Sequence, residues 1–390
     1  MSGSFRVYRM PQQTDPSPRR VLVADDQPDV LEALRWLLSG EGYEPQFVSS
    51  TEGVLEKLRA ERFDLLLMDL NYSRDTTSGR EGLELIPRVR SHDASLPIVV
   101  MTGWGSIDTA VEAMRRGAKS FVQKPWEDVT LLEILDREIG ESRAARRRDH
   151  QQQREVEDAR LIQRGLLPTA VPQVGGVEVA MAWQPANDVG GDCFDLLAFG
   201  GALGVSIADI AGKGLPAALL MSNLQAAVRA FAQATTPPST ICGSVNRLLC
   251  RNMASGRFAT FCYARVEPRA GRIVYSNAGH NPPLLLRADG GVSQLSQGGM
   301  VLGIFPENAY EQAELPLAPG DRLIFYTDGI TEARNPEGDE YGDERLLAAA
   351  VAVRARPPEE MKNVLLEEVN AFTGGQFEDD ATLIVVAITG

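Results

Sequence analysis

Cysteine is scarce in this chain. Only Cys193, Cys242, Cys250 and Cys262 occur in 390 residues, and no two of them form a CxxC pair. That spacing excludes a zinc ribbon and a disulfide-stapled scaffold; four buried, reduced thiols of a cytosolic protein are expected instead. Long apolar runs are also missing. No stretch reaches the ~20 residues a membrane span requires, and the first twenty residues have no apolar signal core. The expectation is a cytoplasmic protein with no membrane partner. Positive charge is short too: 39 Lys and Arg stand against 53 Asp and Glu, a net charge of −14. A balance of that sign argues against nucleic acid as a partner, which calls for a basic face. It leaves a phosphorylated substrate open, because a bound cation can dominate the local field.

What is present is enough chain for two or three cores. Residues 1–19, with Pro11, Pro16 and Pro18, read as a mobile tail. Across residues 20–140, apolar runs (RVLVAD, DLLLMDL, PIVVMT, KSFVQ) alternate with amphipathic stretches (VLEALRWLL, GLELIPRVR, IDTAVEAMRRG, VTLLEILDREI). Continuous apolar strands separated by helices predict a doubly wound parallel α/β domain. Residues 141–167 carry no strand signal. Apolar stripes at Leu132, Leu135 and Ile139 and at Val156, Ala159, Ile162 and Leu166 predict a long helical linker, compatible with a short coiled coil between two copies. The Arg146–Arg148 run reads as a solvated face. From residue 168 to 390, strand candidates VEVAMAW, LGVSIAD, TFCYARVE, RIVYSNA, RLIFYTD and TLIVVAI are grouped, and helical segments come in pairs. That grouping predicts an α+β layered domain.

In the first domain, Asp25, Asp26 and Asp69 fall at strand ends, Thr102 ends another strand, and Lys124 precedes Pro125. Ligands collect at the carboxyl ends of strands in an open parallel sheet, so these side chains are expected to converge. Three carboxylates and a loop carbonyl make a hard oxygen site suited to Mg²⁺. Asp69 could take a phosphoryl group as an acyl phosphate, with Lys124 and the cation offsetting its charge. The spaced set resembles the response-regulator receiver family. The resemblance implies Asp69 as phosphoacceptor, the carbonyl of Asn71 as a metal ligand, Thr102, Phe121 and Lys124 as switch residues, and a sensor histidine kinase as partner. The loop NYSRDTTSGR, residues 71–80, is longer than in most members.

In the second domain, the stretch DVGGDCFD places Asp188, Asp192 and Asp195 around a Gly-Gly pair, where like charges repel unless something positive is shared. Asp209 in ADIAGKG, Asp328 in YTDG, and Asp379 and Asp380 in EDDATL each sit near a strand–turn junction. A carboxylate cluster without His or Cys at ligand spacing calls for hard divalent cations. Two of them could bind a phosphate and bring a shared water's pKa to about neutrality, so hydrolysis needs no protein nucleophile. IQRGLLP, DVGGDCFD, ADIAGKG, NAGHNPP, TDG and DDATL, in that order, resemble the bacterial SpoIIE/RsbU branch of the PPM-type metal-dependent protein phosphatases, a β-sandwich flanked by helices. The resemblance implies one metal held by Asp192, Asp209 and the Ile210 carbonyl, and a second held by Asp209, Asp328 and Asp379, with two Mn²⁺ or Mg²⁺ in all. Asp379 is preferred to Asp380 by its place in the motif. Asp195 is assigned to the fold. His280 could be a general acid or a strand-end His bonded to backbone, and Lys213 stands where eukaryotic members carry a catalytic His.

The resulting expectation is a receiver-controlled phosphoserine/phosphothreonine phosphatase. Its substrate, by resemblance, is a phosphorylated STAS-type anti-sigma-factor antagonist, and the linker is expected to support a homodimer. The competing reading is an inactive phosphatase-shaped adaptor, which loss of a metal carboxylate would favour. A DNA-binding regulator lacks a basic helix after the receiver.

Overall fold

The computed structural model describes residues 18–72, 80–103, 107–186, 189–252 and 256–390. Asp188 and most of the long 71–80 loop lie outside the described residues. The chain divides into two units, Met1–Gln152 and Gln153–Gly390. Among the described residues no helix is long and apolar enough to cross a membrane.

The first unit alternates strand and helix: β1 (Arg19–Ala24), α1 (Pro28–Gly40), β2 (Tyr43–Val48), α2 (Thr51–Ala60), β3 (Leu65–Asp69), α3 (Arg80–His92), β4 (Ile98–Thr102), α4 (Ile107–Arg115), β5 (Ser120–Gln123) and α5 (Asp128–Leu166). The boundary between the two units falls within α5. All five strands are parallel, in the order β2-β1-β3-β4-β5. Alternate residues of one strand feed opposite faces, as the period of two requires. Leu22, Leu66, Met68, Ile98 and Val100 pack with Val54, Leu58, Ile86 and Val89 of α2 and α3. Val21, Val23, Leu65, Leu67 and Val99 pack with Leu34 and Leu38 of α1 and Leu131, Leu135 and Ile139 of α5. Strand β2, YEPQFV, is the one with no assigned run in the sequence reading. It is an edge strand, where Pro45 withholds no bond from an inner ladder, and it is only half-buried. Pro28 starts α1, where its fixed φ suits a first turn, and Ser50 caps α2 by accepting the Gly53 amide.

The second unit contains β6 (Val177–Gln184), β7 (Cys193–Phe199), β8 (Ala202–Ile210), α6 (Leu215–Phe231), α7 (Pro238–Asn252), β9 (Ala259–Glu267), β10 (Arg272–Ala278), β11 (Leu284–Leu286), β12 (Val292–Gln294), β13 (Gly298–Gly299), β14 (Ala313–Pro316), β15 (Arg322–Tyr326), α8 (Asp328–Thr331), α9 (Gly342–Val353), α10 (Pro358–Thr373) and β16 (Ala381–Ile388). One sheet runs β13-β10-β9-β8-β7 with β14 also on β10; the other runs β12-β11-β15-β16-β6, antiparallel throughout. Val205, Ile207, Phe261 and Tyr263 of the first sheet share a core with Leu285, Leu323, Phe325, Ile384 and Val386 of the second. The alternate residues Leu284, Ile324, Tyr326, Leu383 and Val385 meet Leu346, Met361, Leu365 and Val369 of α9 and α10. Covered on both faces, β16 is buried at all eight positions. Helices α6 and α7 pack on the other sheet, giving four layers: helix, sheet, sheet, helix.

Two readings of single residues change. Cys193, Cys242 and Cys262 are buried, but Cys250, in the last turn of α7, is only partly so. Arg146 is not part of a solvated face: it binds Asp93 at 3.0 Å and Ser95 at 2.9 Å.

Candidate functional site

The carboxyl ends of β1 and β3 bring Asp25, Asp26 and Asp69 together, with one oxygen of each within 4.8 Å of the others. Lys124, following β5, reaches in to Asp25 at 2.6 Å and Asp69 at 3.0 Å. Burial pushes the Asp69 carboxyl above its ordinary range, and Lys124 works against that shift. The Asp69 side chain also accepts the Leu70 amide at 2.8 Å. Thr102 is buried at the end of β4, and its carbonyl accepts the Lys124 amide at 2.7 Å. Phe121 is 47% exposed. The side-chain oxygen of Asn71 is buried with no partner among the described residues, as is the hydroxyl of Tyr72. Hard oxygens around one ammonium fit a small divalent cation.

In the second unit the expected acids come from four separate segments. Asp192 immediately precedes β7, Asp209 is the penultimate residue of β8, Asp328 opens α8, and Asp379 lies two residues before β16. Asp192 is fully buried. One of its oxygens accepts the hydroxyls of Thr327, at 2.7 Å, and Thr382. Burial and then the Asp209 charge push its carboxyl well above the ordinary range. Burial, followed by the charges of Asp328, Asp379 and Asp380, pushes Asp209 up to about 7. Asp328 is raised by burial, then by Glu332 and Asp379. These acids therefore share one electrostatic field, although no three of them close to the spacing of the first site among the described residues.

Asp379 and Asp380 part company. Asp380 is buried, and its two oxygens accept the amides of Ala186, at 2.9 Å, and Gly191, at 2.7 Å. Asp379 is half exposed and pairs with Lys213 at 3.0 Å. Lys213 also donates to the Glu378 carbonyl at 2.8 Å, and the Asp379 side chain raises its pKa. Asp192, Asp209 and Asp328 have no Lys or Arg ion pair among the described residues. Buried oxygen donors without cationic partners fit divalent metals, and soft metals poorly.

The Gly-Gly pair in DVGGDCFD has a steric reason. A Cβ on Gly190 would lie 2.0 Å from an Asp380 oxygen, and one on Gly191 would lie 2.8 Å from the Ile210 carbonyl oxygen. Only glycine lets the backbone come this near. Asp195 binds Arg229 at 2.5 Å and caps the Leu196 amide, in keeping with a role in the fold.

His280 is buried. Its Nε2–H donates to the Tyr326 carbonyl at 3.1 Å, so Nδ1 accepts the Thr260 hydroxyl at 2.8 Å. Burial lowers its pKa to about 4, which leaves the ring neutral near pH 7 with both nitrogens occupied. The sequence reading missed Thr327 and Thr382, although both stand inside quoted motifs, and Gln163, whose amide bonds twice to Gly190. It also missed Arg257. This part-buried residue has an Nη1 without a hydrogen-bond partner among the described residues, 3.4 Å from where a Cβ on Gly212 would lie.

A parallel sheet with an acid pocket at its carboxyl edge is a receiver fold, and the four-layer sandwich rimmed by aspartates is a PPM-type phosphatase fold. Residues 21–136 match the family model for the response regulator receiver domain. Residues 200–389 match that for stage II sporulation protein E (SpoIIE), a span that begins after Asp192. The phosphoserine phosphatase RsbU of Bacillus subtilis is 30% identical over 235 residues, 60% of this chain and 69% of RsbU. Protein IcfG of a Synechocystis strain is 28% identical over 260 residues, 60% of this chain but only 41% of IcfG. The solved RsbU and RsbW domains of Rv1364c from Mycobacterium tuberculosis align with a TM-score of 0.52 at 28% identity, covering 57% of this chain and 63% of that one. The chain belongs to the SpoIIE/RsbU-type PPM family of serine/threonine protein phosphatases, and joins a receiver domain to the phosphatase domain.

Proposed function

We propose that the chain is a response regulator whose output is metal-dependent hydrolysis of phosphoserine or phosphothreonine in a protein. The observation that carries this reading is the shared field of four aspartates from distant segments, three of them without a cationic partner among the described residues. Asp192, Asp209 and the Ile210 carbonyl would hold one Mn²⁺ or Mg²⁺, and Asp209, Asp328 and Asp379 the second. When bound, such ions supply Lewis-acid charge to the phosphoryl group and acidify water. The Thr327 and Thr382 hydroxyls orient the Asp192 carboxylate, Asp380 fixes the loop that carries it, and Arg257 and Lys213 provide positive charge near the ADIAGKG turn for the substrate phosphate. His280, neutral and doubly bonded, holds the rim of the sheets together rather than moving a proton.

The finer assignments follow from family resemblance and the layout. The substrate is a phosphorylated STAS-type protein, in keeping with the RsbU relationship. A histidine kinase phosphorylates Asp69 in the presence of Mg²⁺, with Thr102, Phe121 and Lys124 as the responding residues. We keep the division into tail (1–19), receiver (20–140), linker (141–167) and phosphatase (168–390). Ile162, 67% exposed on α5, supports pairing of two linkers in a homodimer. The setting is cytoplasmic. The presence of all four expected acids favours the enzyme over an inactive adaptor.

The test is phosphopeptide hydrolysis with Mn²⁺. The parent chain turns over, chelation stops it, and Asp209→Asn lowers kcat at least about a hundredfold, the scale of losing a main electrostatic contact. No hydrolysis by the parent, with the receiver either phosphorylated or not, would leave the adaptor.

A further inference from the structure

Helix α5 ends against the loop that carries Asp192. Gln163, three residues before the end of that helix, is 2% exposed. Its Nε2 donates to the Gly190 carbonyl at 2.7 Å, and its Oε1 accepts the Gly190 amide at 3.0 Å. One side-chain amide thus satisfies both polar groups of one residue. Gly190 has no side chain of its own to fix it, and the Asp380 carboxylate already fills the space a Cβ would take. The next amide, Gly191, is held by Asp380. Two residues beyond Gly190 comes Asp192, whose rotamer is set by Thr327 and Thr382. The loop is therefore pinned in sequence by Gln163, Asp380 and the two threonines.

The last turn of α5 is itself anchored. Gln225 of α6 donates to the Leu166 carbonyl at 2.6 Å, and Arg229 ties α6 to Asp195 at the other end of the same motif. Gln163 consequently cannot shift without moving Gly190, because a buried amide that left its partners would strand four polar groups without hydrogen bonds.

We propose that Gln163 is a positioning residue that sets the divalent-cation affinity of the phosphatase centre. It holds the Gly190 peptide where Asp192 can meet Asp209, and so links the end of α5 to metal occupancy. This rests on the reading of the aspartates as a metal centre. Groups that orient metal ligands typically account for about 10–100-fold in metal affinity.

The experiment titrates Mn²⁺ into the full chain by calorimetry. Asp209→Asn defines the signal that belongs to the phosphatase centre as opposed to the receiver. Gln163→Leu, similar in volume but unable to bond, is expected to weaken that signal about tenfold or more. It should raise the Mn²⁺ concentration for half-maximal hydrolysis by a similar factor, and high Mn²⁺ should rescue kcat. Gln163→Glu keeps the acceptor for the Gly190 amide and loses the donor, so an intermediate loss is expected; it also serves if the Leu variant fails to fold. Unchanged Mn²⁺ affinity in a folded variant, or a kcat loss that Mn²⁺ does not rescue, overturns the positioning role. A parent chain with no Asp209-dependent Mn²⁺ signal overturns the metal-centre reading itself.

Discussion

At the scale of single residues, burial decides what an ionisable group does. His280 and Asp209 lie near the same rim, and desolvation drives both toward neutrality, one by lowering a base and the other by raising an acid. For His280 the sign is definite. Its folded pKa of about 4 lies below the ordinary value near 6.5, so between those limits the unfolded chain binds more protons. The stability it contributes is complete above about pH 6.5 and is lost as pH falls toward 4. The full shift corresponds to about 3 kcal/mol. The stability advantage of the parent over His280→Asn, measured by urea unfolding, should therefore shrink across that window; a gap independent of pH would refute the assignment. The same scale separates Asp379 from Asp380. Motif position ranks one above the other, but the hydrogen bonds from Ala186 and Gly191 are what commit Asp380 to the loop.

At the scale of elements, α5 is the one that matters. Its first half carries the stripe Leu131, Leu135 and Ile139 into the core of the receiver unit. Beyond that stripe, polar contacts continue the attachment: Arg143 binds Asp64 through two nitrogens, at 2.9 and 2.8 Å, and the Pro18 carbonyl at 2.8 Å. Burial raises the Asp64 carboxyl, yet the bonds from Arg143 and the Arg20 amide outweigh burial and leave it below its ordinary range. That contribution is present above about pH 4 and is lost as pH falls through the lowered folded value. Arg143→Ala should destabilise the receiver unit by on the order of 1–3 kcal/mol, between the values for exposed and buried pairs. It should also speed hydrogen exchange in residues 140–150. Exchange equal to the parent's would show that the apolar stripe alone holds the helix.

At the scale of the whole molecule, the question is whether the first unit controls the second. A phosphoryl mimic such as beryllofluoride with Mg²⁺, bound at Asp69, is expected to change oligomeric state by light scattering, and to change phosphopeptide turnover together with it. Asp69→Asn should abolish both responses. If the mimic binds and neither changes, the proposed coupling through α5 is wrong.

The sequence by itself determined the two folds and placed the candidate acids beside strand ends. The periods of two and 3.6 residues are local properties, and acids beside strand ends go wherever the sheet edge goes. Strand β2 escaped because a half-buried edge strand carrying a proline has little apolar signal. Tertiary structure alone decided the contacts between distant segments: Gln163 on Gly190, Asp380 on Gly191, Thr327 and Thr382 on Asp192, Arg146 on Asp93. No spacing along the chain encodes which buried donor faces which acceptor. A carboxylate becomes a ligand or a brace according to the neighbours that desolvate it and the amides that reach it, and those are fixed only when the sheets close.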